Sequence, residues 1–404
     1  MRSDLLLPDP GRVEYKKWSV IACDQFTSEP EYWEETERIV GDSPSALRLI
    51  LPEVYLSSKA RRIPEINQSM RDYLEQRLLR TYKNARVLVE RTQSDGKIRT
   101  GIVGQVDLEA YDYTRLSKAQ IRATEGTVLE RIPPRVAIRK GALLELPHVM
   151  LLYDDRENLV SGSIGRDYAK RAPLYDFDLM QGGGHIRGTL LTEEENGALD
   201  RALAGLSKPS GFLFAVGDGN HSLAAAKENY ERIKKQIGPE KAKTHPARFA
   251  LCEIVNLHDP ALSFEPIYRV VFGADKEDLV YSFCTYIQTL KGKAKKQPVT
   301  LCTREAEVTV DVLHPTSQLA VGTVQAFLDG YLESHPGVSV DYVHDEDSVR
   351  RLVEERDGVA FLFAGMKKEE LFPSVDLDGA LPRKTFSMGH ARDKRYYLEA
   401  RFIK

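Results

Sequence analysis

The sequence predicts a mixed α/β (α+β) protein of at least two domains. Strand-like apolar runs alternate with helical patterns from end to end, which is the signature of layered sheets and helices. The 404 residues exceed the usual size of one domain, and 42% of them are hydrophobic, enough for more than one core. At residues 211–227 an apolar strand ending in Val216 runs into Gly217-Asp218-Gly219-Asn220-His221, then into the helix formers that follow Ser222.

The elements follow in order. Residues 18–23 form an apolar run ending at Asp24 and read as a short strand. Ser28, Pro30 and Glu31 open a helix that Gly41 closes. Residues 63–82 carry a long amphipathic helix. Residues 86–92 and 98–108 flank Asp95-Gly96, a hairpin signal. Residues 136–146 and 149–153 read as strands. Gly182-Gly183-Gly184-His185 reads as a flexible loop, either a lid over ligand or a plain surface loop. Thr192 and Glu195 make a capping box for a helix over 192–206, and 249–257 is an apolar strand.

The character changes around 265–272, which places a boundary near residue 270. That gives an N-terminal α/β domain over 1–270, carrying the glycine turn, and a C-terminal α/β domain over 271–404. In the latter, helices are expected at 275–290, 324–334 and 348–356, and strands at 299–302, 308–313, 338–343 and 359–364.

Composition narrows the function classes. Lys and Arg number 57 against 60 Asp and Glu, a net charge of −3, which argues against a dedicated nucleic-acid binder. The four cysteines are scattered, which argues for a reducing compartment, with the cytoplasm as the default. No stretch approaches the roughly 20 apolar residues of a membrane span. Neither H-E-x-x-H nor paired C-x-x-C occurs, so no protein metal site is expected.

The glycine turn is the main candidate site. The first amides of a helix lack internal partners and carry partial positive charge, and glycines let backbone approach an anion closely. Gly217, Gly219, Asn220 and Ser222 are therefore the expected phosphate-binding set, with Asp218 and His221 as catalytic candidates. Neither a Walker A loop nor the complete dinucleotide fingerprint is present, since Ser222 stands where the third glycine belongs. The structural alternative is a tight connection capped by Asp or Asn. Asp24, at the end of its strand, is a second carboxylate, with a plain turn as the alternative. Cys23 reads as core. Arg131, Arg135 and Arg139 recur every fourth residue, but Pro133 and Pro134 are expected to break any helix there. Arg131 and Arg135 suit phosphate oxygens; a solvated strand edge is the alternative, above all for Arg139. Glu265 and Arg269 flank the boundary and are expected at an interdomain cleft.

Five segments together resemble a bacterial and archaeal family, domain of unknown function 1015. They are Val20-Ile-Ala-Cys-Asp-Gln-Phe-Thr, Thr124-Glu-Gly-Thr-Val-Leu-Glu-Arg-Ile-Pro-Pro-Arg, Gly217-Asp-Gly-Asn-His-Ser, Phe264-Glu-Pro-Ile-Tyr-Arg and Leu381-Pro-Arg-Lys-Thr-Phe. Many members carry Asp-Gly-His-His-Arg at the turn; this chain departs from them at Asn220 and Ser222. The turn alone also resembles the phosphate-binding turn of the ParB/sulfiredoxin-like superfamily, which includes free-serine kinases and nucleotide-hydrolysing partition proteins. That resemblance implies a ParB-like phosphate-binding core. It also implies a nucleotide-dependent phosphotransferase acting on a small, free serine-like hydroxyl metabolite. Mg²⁺ would arrive with ATP or ADP. The alternative it leaves open is a nucleotide-binding regulatory module with slow hydrolysis. A homodimer is compatible with either.

Overall fold

The computed structural model describes residues 1–165, 167–206 and 210–404. It is a mixed α/β protein whose chain divides into two compact units. Met1–Ala123, Thr127–Leu262 and His390–Lys404 form the first; Thr124–Gly126 and Ser263–Gly389 form the second. Among the described residues, no helix is long and apolar enough to cross a membrane.

The first unit is organised by a nine-stranded mixed sheet. Its order is Tyr111–Asp112, Ile121–Ala123, Phe214–Asp218, Met150–Tyr153, Phe249–Asn256, Ile98–Asp107, Val87–Thr92, His185–Leu190 and Tyr175–Asp178. Both faces are covered, and the period of two in a strand sorts its side chains between two cores. Val87 and Val89 join a core with Trp18, Trp33, Met70 and Tyr397, whereas Leu88 between them joins Leu199, Leu223 and Ile254 on the other face. The Asp95-Gly96 hairpin forms as expected, with Val87–Thr92 antiparallel to Ile98–Asp107 and Gly96 at φ 81°. Thr192 and Glu195 close their capping box on Glu193–Gly205.

Four local expectations are corrected. Residues 18–23 are no strand: Tyr15–Trp18 is a helical turn, and Ile21 makes one isolated bridge to Tyr396. The apolarity of Trp18, Val20 and Ala22 reflects burial in the core. Residues 136–141 are not a strand either. Ile132–Gly141 is a helix with its prolines in the first turn, where the missing N–H is no loss. The long helix is Lys59–Glu75, and Leu79–Ala85 is a strand paired with Ser3–Pro8. The glycine run 182–184 is a packed turn, not a lid: the Gly183 amide donates to Met180 O at 3.0 Å and Leu179 donates to Gly184 O at 2.8 Å.

The C-terminal segment is fixed into the first unit by buried charge. Arg395 pairs with both Glu253 and Glu399, all three nearly inaccessible, and Tyr175 donates to Glu399 at 2.5 Å. Arg99, 3.5 Å from Glu253, supplies the second positive charge, so the buried carboxylates are matched by cations, which is the condition for burying any of them.

The second unit has an antiparallel sheet in the order Glu307–Val312, Gln297–Cys302, Val359–Phe363, Phe264–Phe272, Ser339–His344, with Phe386–Met388 pairing the start of Phe264–Phe272. The helices Lys276–Thr289, Ala320–Ser334 and Glu346–Arg356 appear where the sequence placed them; Asp275 and Asp345 cap the first and last.

Candidate functional site

The glycine turn is built as a strand running into a helix. Phe214–Asp218 lies between Ile121–Ala123, parallel, and Met150–Tyr153, antiparallel. The register slips between Val216 and Asp218, so Gly217 is the extra residue of a bulge. A Cβ on Gly217 would come within 2.9 Å of Leu152 Cγ, so the sheet admits no side chain there. Gly219 has φ 74°, and a Cβ on it would meet Val149 Cα at 3.0 Å. These two glycines turn the chain into the helix Asn220–Ile237, whose Ala224, Ala225 and Ala226 are buried against the unit's core.

Asp218 folds back on the turn: its Oδ1 accepts the Gly219 amide at 2.8 Å. Its Oδ2 lies 3.4 Å from Lys394 Nζ, with both side chains mostly buried. The first donor past the strand is thus occupied by the protein itself. The next helical amides belong to Asn220, His221 and Ser222, and among the described residues those of His221 and Ser222 have no partner. The Asn220 side chain donates to Thr127 Oγ1 at 3.1 Å, tying the segment after Gly126 across the turn.

His221 Nε2 accepts the Val128 amide at 3.2 Å, so that nitrogen carries no proton. Burial, helped by the cations Arg135 and Arg131, pushes its pKa down to about 4. His221 is a neutral imidazole at pH 7, able to donate through Nδ1 but holding no charge to give.

Beside the turn lies a network that the sequence reading did not foresee. His148 Nε2 is 2.7 Å from Ser222 Oγ, and His148 Nδ1 is 2.8 Å from the Tyr397 hydroxyl. The Tyr397 oxygen also accepts the Cys23 amide at 3.1 Å. The carboxylate of Asp24, 3.9 Å from Nε2, favours a hydrogen on that nitrogen. His148 therefore donates to Ser222, which frees the serine O–H to donate outward and leaves no base to make that serine a nucleophile.

Asp24 is half-buried. Burial works against its charge, yet His148, the Gln25 amide and Lys394 outweigh it and hold the carboxyl below its ordinary range. Cys23 is inert: burial, then the Asp24 charge, pushes its thiol up to about 12.

The helix at Ile132–Gly141 stacks Arg131, Arg135 and Arg139 on one side, as four-residue spacing requires once a helix forms. Arg135 is committed to Glu53 and, at 2.7 Å, to the Arg131 carbonyl; Arg139 pairs with Glu145. Arg131 is exposed at the head of that helix. Glu265 and Arg269 lie in the second unit. Arg269 is fully buried, donating to Ile267 O at 2.5 Å, Lys384 O at 3.0 Å and Arg383 O at 3.1 Å, and Nε to Gln325 at 3.0 Å. Its guanidinium pins the loop around Leu381–Thr385, with each of its three nitrogens already donating to the protein.

The first unit therefore brings together Asp24, Asp218, Gly219, His221, Ser222 and Arg131, and adds His148, Lys394 and Tyr397. His148 is buried and follows Pro147 just before the strand Met150–Tyr153, and nothing in its local sequence marks it as part of a site. Nothing local marks Lys394 and Tyr397, which reach the turn through the returning C-terminus.

A cavity of about 100 Å³ opens against this network. Cys23, His148, Ser222 and Tyr397 form its polar end, and Leu49, Leu51, Leu56, Met70, Ile138 and Leu146 are among its apolar walls.

No curated protein matches the chain. Among solved structures, a conserved hypothetical protein from Pyrococcus furiosus is similar at 10% identity and a TM-score of 0.37, over 75% of this chain and 95% of that one. A mutant free serine kinase in complex with ADP is similar at 11% identity and a TM-score of 0.40, over 74% and 91%. SbnI with a C-terminal truncation, from Staphylococcus aureus, is similar at 10% identity and 0.36, over 71% and 82%. The family described as protein of unknown function (DUF1015) matches residues 8–331, and the chain belongs to it.

Proposed function

We propose that this protein is a nucleotide-dependent phosphotransferase that moves a phosphoryl group from ATP to a small hydroxyl metabolite. The observation that carries this reading is the pairing of two opposite features a few ångströms apart. Unpartnered amides at His221 and Ser222 open the helix, and an ionised carboxylate, Asp24, faces the same His148–Ser222 corner. The first feature suits a phosphate; the second suits the proton of an acceptor hydroxyl.

The His221 and Ser222 amides, the Ser222 O–H and His221 Nδ1–H donate to the terminal phosphate oxygens. Asp24 accepts the hydroxyl proton as the acceptor oxygen bonds to phosphorus. The bond to the nucleotide's bridging oxygen breaks, and that oxygen leaves with the electron pair as part of ADP. Lys394, aimed by Asp218, and Arg131 offset the charge on the transferring group. Among the described residues no cluster of three or more metal-ligand side chains exists, so Mg²⁺ enters with the nucleotide.

The test is a coupled assay of ADP release by the full chain, with and without hydroxyl compounds. Acceptor-dependent ADP release supports the reading. Slow hydrolysis indifferent to every acceptor would instead mark a nucleotide-binding regulator.

A further inference from the structure

The cavity behind Ser222 has an unusual division of labour between its polar and charged walls. Its charged side chains are already in ion pairs within the protein. Arg135 is bound to Glu53 and to the Arg131 carbonyl, and Arg139 to Glu145. Glu145 also accepts Arg401 at 2.9 Å and the Leu251 amide at 2.8 Å. No unpaired charge remains on these walls to receive a carboxylate, and an unpaired ion in such a site would keep its full desolvation cost. The uncommitted capacity is one hydroxyl, Ser222, at one end, and aliphatic surface from Leu49, Leu51, Leu56, Met70 and Ile138 everywhere else.

We infer that this cavity binds the carbon skeleton of the acceptor, and that the acceptor is an aliphatic alcohol and not a free amino acid. This rests on the phosphotransferase reading for the fate of the hydroxyl, though not for the binding itself. The hydroxyl sits at the Ser222–His148 end, and Asp24, 3.9 Å from His148 Nε2, takes its proton. The alkyl group extends away between Met70, Leu56 and Ile138. At about 100 Å³ the cavity is smaller than the ~150 Å³ space known to accept benzene, so it holds a compact group of about four carbons.

Chain length is the readout. Each methylene moved from water into the cavity tightens binding roughly fourfold, the equivalent of ~0.8 kcal/mol, until the volume is filled. Isothermal titration of the full chain with 1-alkanols from ethanol to 1-hexanol, and with L-serine, is done first without nucleotide and then with ADP and Mg²⁺. The expected result is a Kd that falls about fourfold per carbon up to about butanol and then stops falling, with no serine binding. Met70→Ala shifts that optimum to a longer alcohol, and Ala225→Val, on the opposite wall, shifts it to a shorter one. Serine binding, a Kd independent of chain length, or no alkanol binding by the unmodified chain overturns the inference. If alkanols bind in this graded way but no ADP is released with any of them, the cavity assignment stands and the phosphotransferase reading falls.

Discussion

His148 Nε2 and Ser222 Oγ are 2.7 Å apart, and the Asp24 carboxylate 3.9 Å from the same nitrogen makes the imidazole the donor. A serine–histidine contact at a strand–turn–helix junction invites a hydrolase reading, and the direction of this hydrogen bond decides against it.

The first prediction concerns that serine. Ser222→Ala removes one donor to a charged oxygen, a loss of ~1.5–3 kcal/mol, so nucleotide should bind roughly 10–100-fold more weakly. Fluorophosphonate reagents should leave the unmodified chain unlabelled, because no base faces the serine. Stoichiometric labelling of Ser222, read by mass spectrometry, would show the proton assignment at His148 to be wrong.

Asp24→Asn should lower kcat by roughly 10²–10⁴-fold, the usual loss for a general base, while the Kd for ADP changes less than threefold. Asp24 sits at the acceptor end of the site, so a matched loss in both quantities would place it on the nucleotide instead.

His221 sets an acid limit. Its pKa is about 4 in the folded protein, below the ordinary 6.5 of the unfolded chain. The unfolded state therefore binds the extra proton first as pH falls. The stability linked to His221 is complete above pH 6.5 and is lost as pH drops from there towards 4. Melting curves of His221→Gln should fall less steeply across that window than those of the unmodified chain. Phosphate binding should also persist from pH 6 to 8, since no imidazolium is being discharged. A titratable loss near pH 6.5 would contradict the neutral assignment.

Arg269→Met should destabilise the second unit by about 2–4 kcal/mol, because several buried carbonyls lose their donor at once. Urea unfolding followed in that unit measures it. A cost under 0.5 kcal/mol would mean the loop at Leu381–Thr385 is held by something else.

Gly219→Ala should cost about 1–3 kcal/mol, since alanine resists φ 74° and its methyl meets the Val149 backbone. Substitution here should also abolish nucleotide binding, because the helix start would move.

Much of this was legible from the chain. The strand–turn–helix at Val216–Ser222, the Asp95-Gly96 hairpin and the Thr192/Glu195 box are local, with causes inside a few residues, and the structure has all three. The mistakes were also local in kind. Pro133 and Pro134 were read as helix breakers, although prolines in a first turn interrupt no hydrogen bond. The apolar run 18–23 has the composition of a strand, but it is buried by helices and by the C-terminal segment, without a ladder. His148, Lys394 and Tyr397 escaped because their relation to the turn is purely tertiary. A spacing of 74 residues between Ser222 and His148 leaves no periodic trace.

The return of His390–Lys404 into the first unit has a consequence for biosynthesis. Until those last residues emerge, Glu253 has no Arg395, the turn has no Lys394, and the sheet's one face lacks Tyr396 and Tyr397. At ~5–20 residues per second, the ribosome needs roughly 7–30 s after Leu262 to deliver them. That interval is spent making the second unit's own residues 263–389, so the first unit waits, unfinished, for a segment that follows the second, an inversion of the usual order in which the leading part of a nascent chain settles before the trailing part.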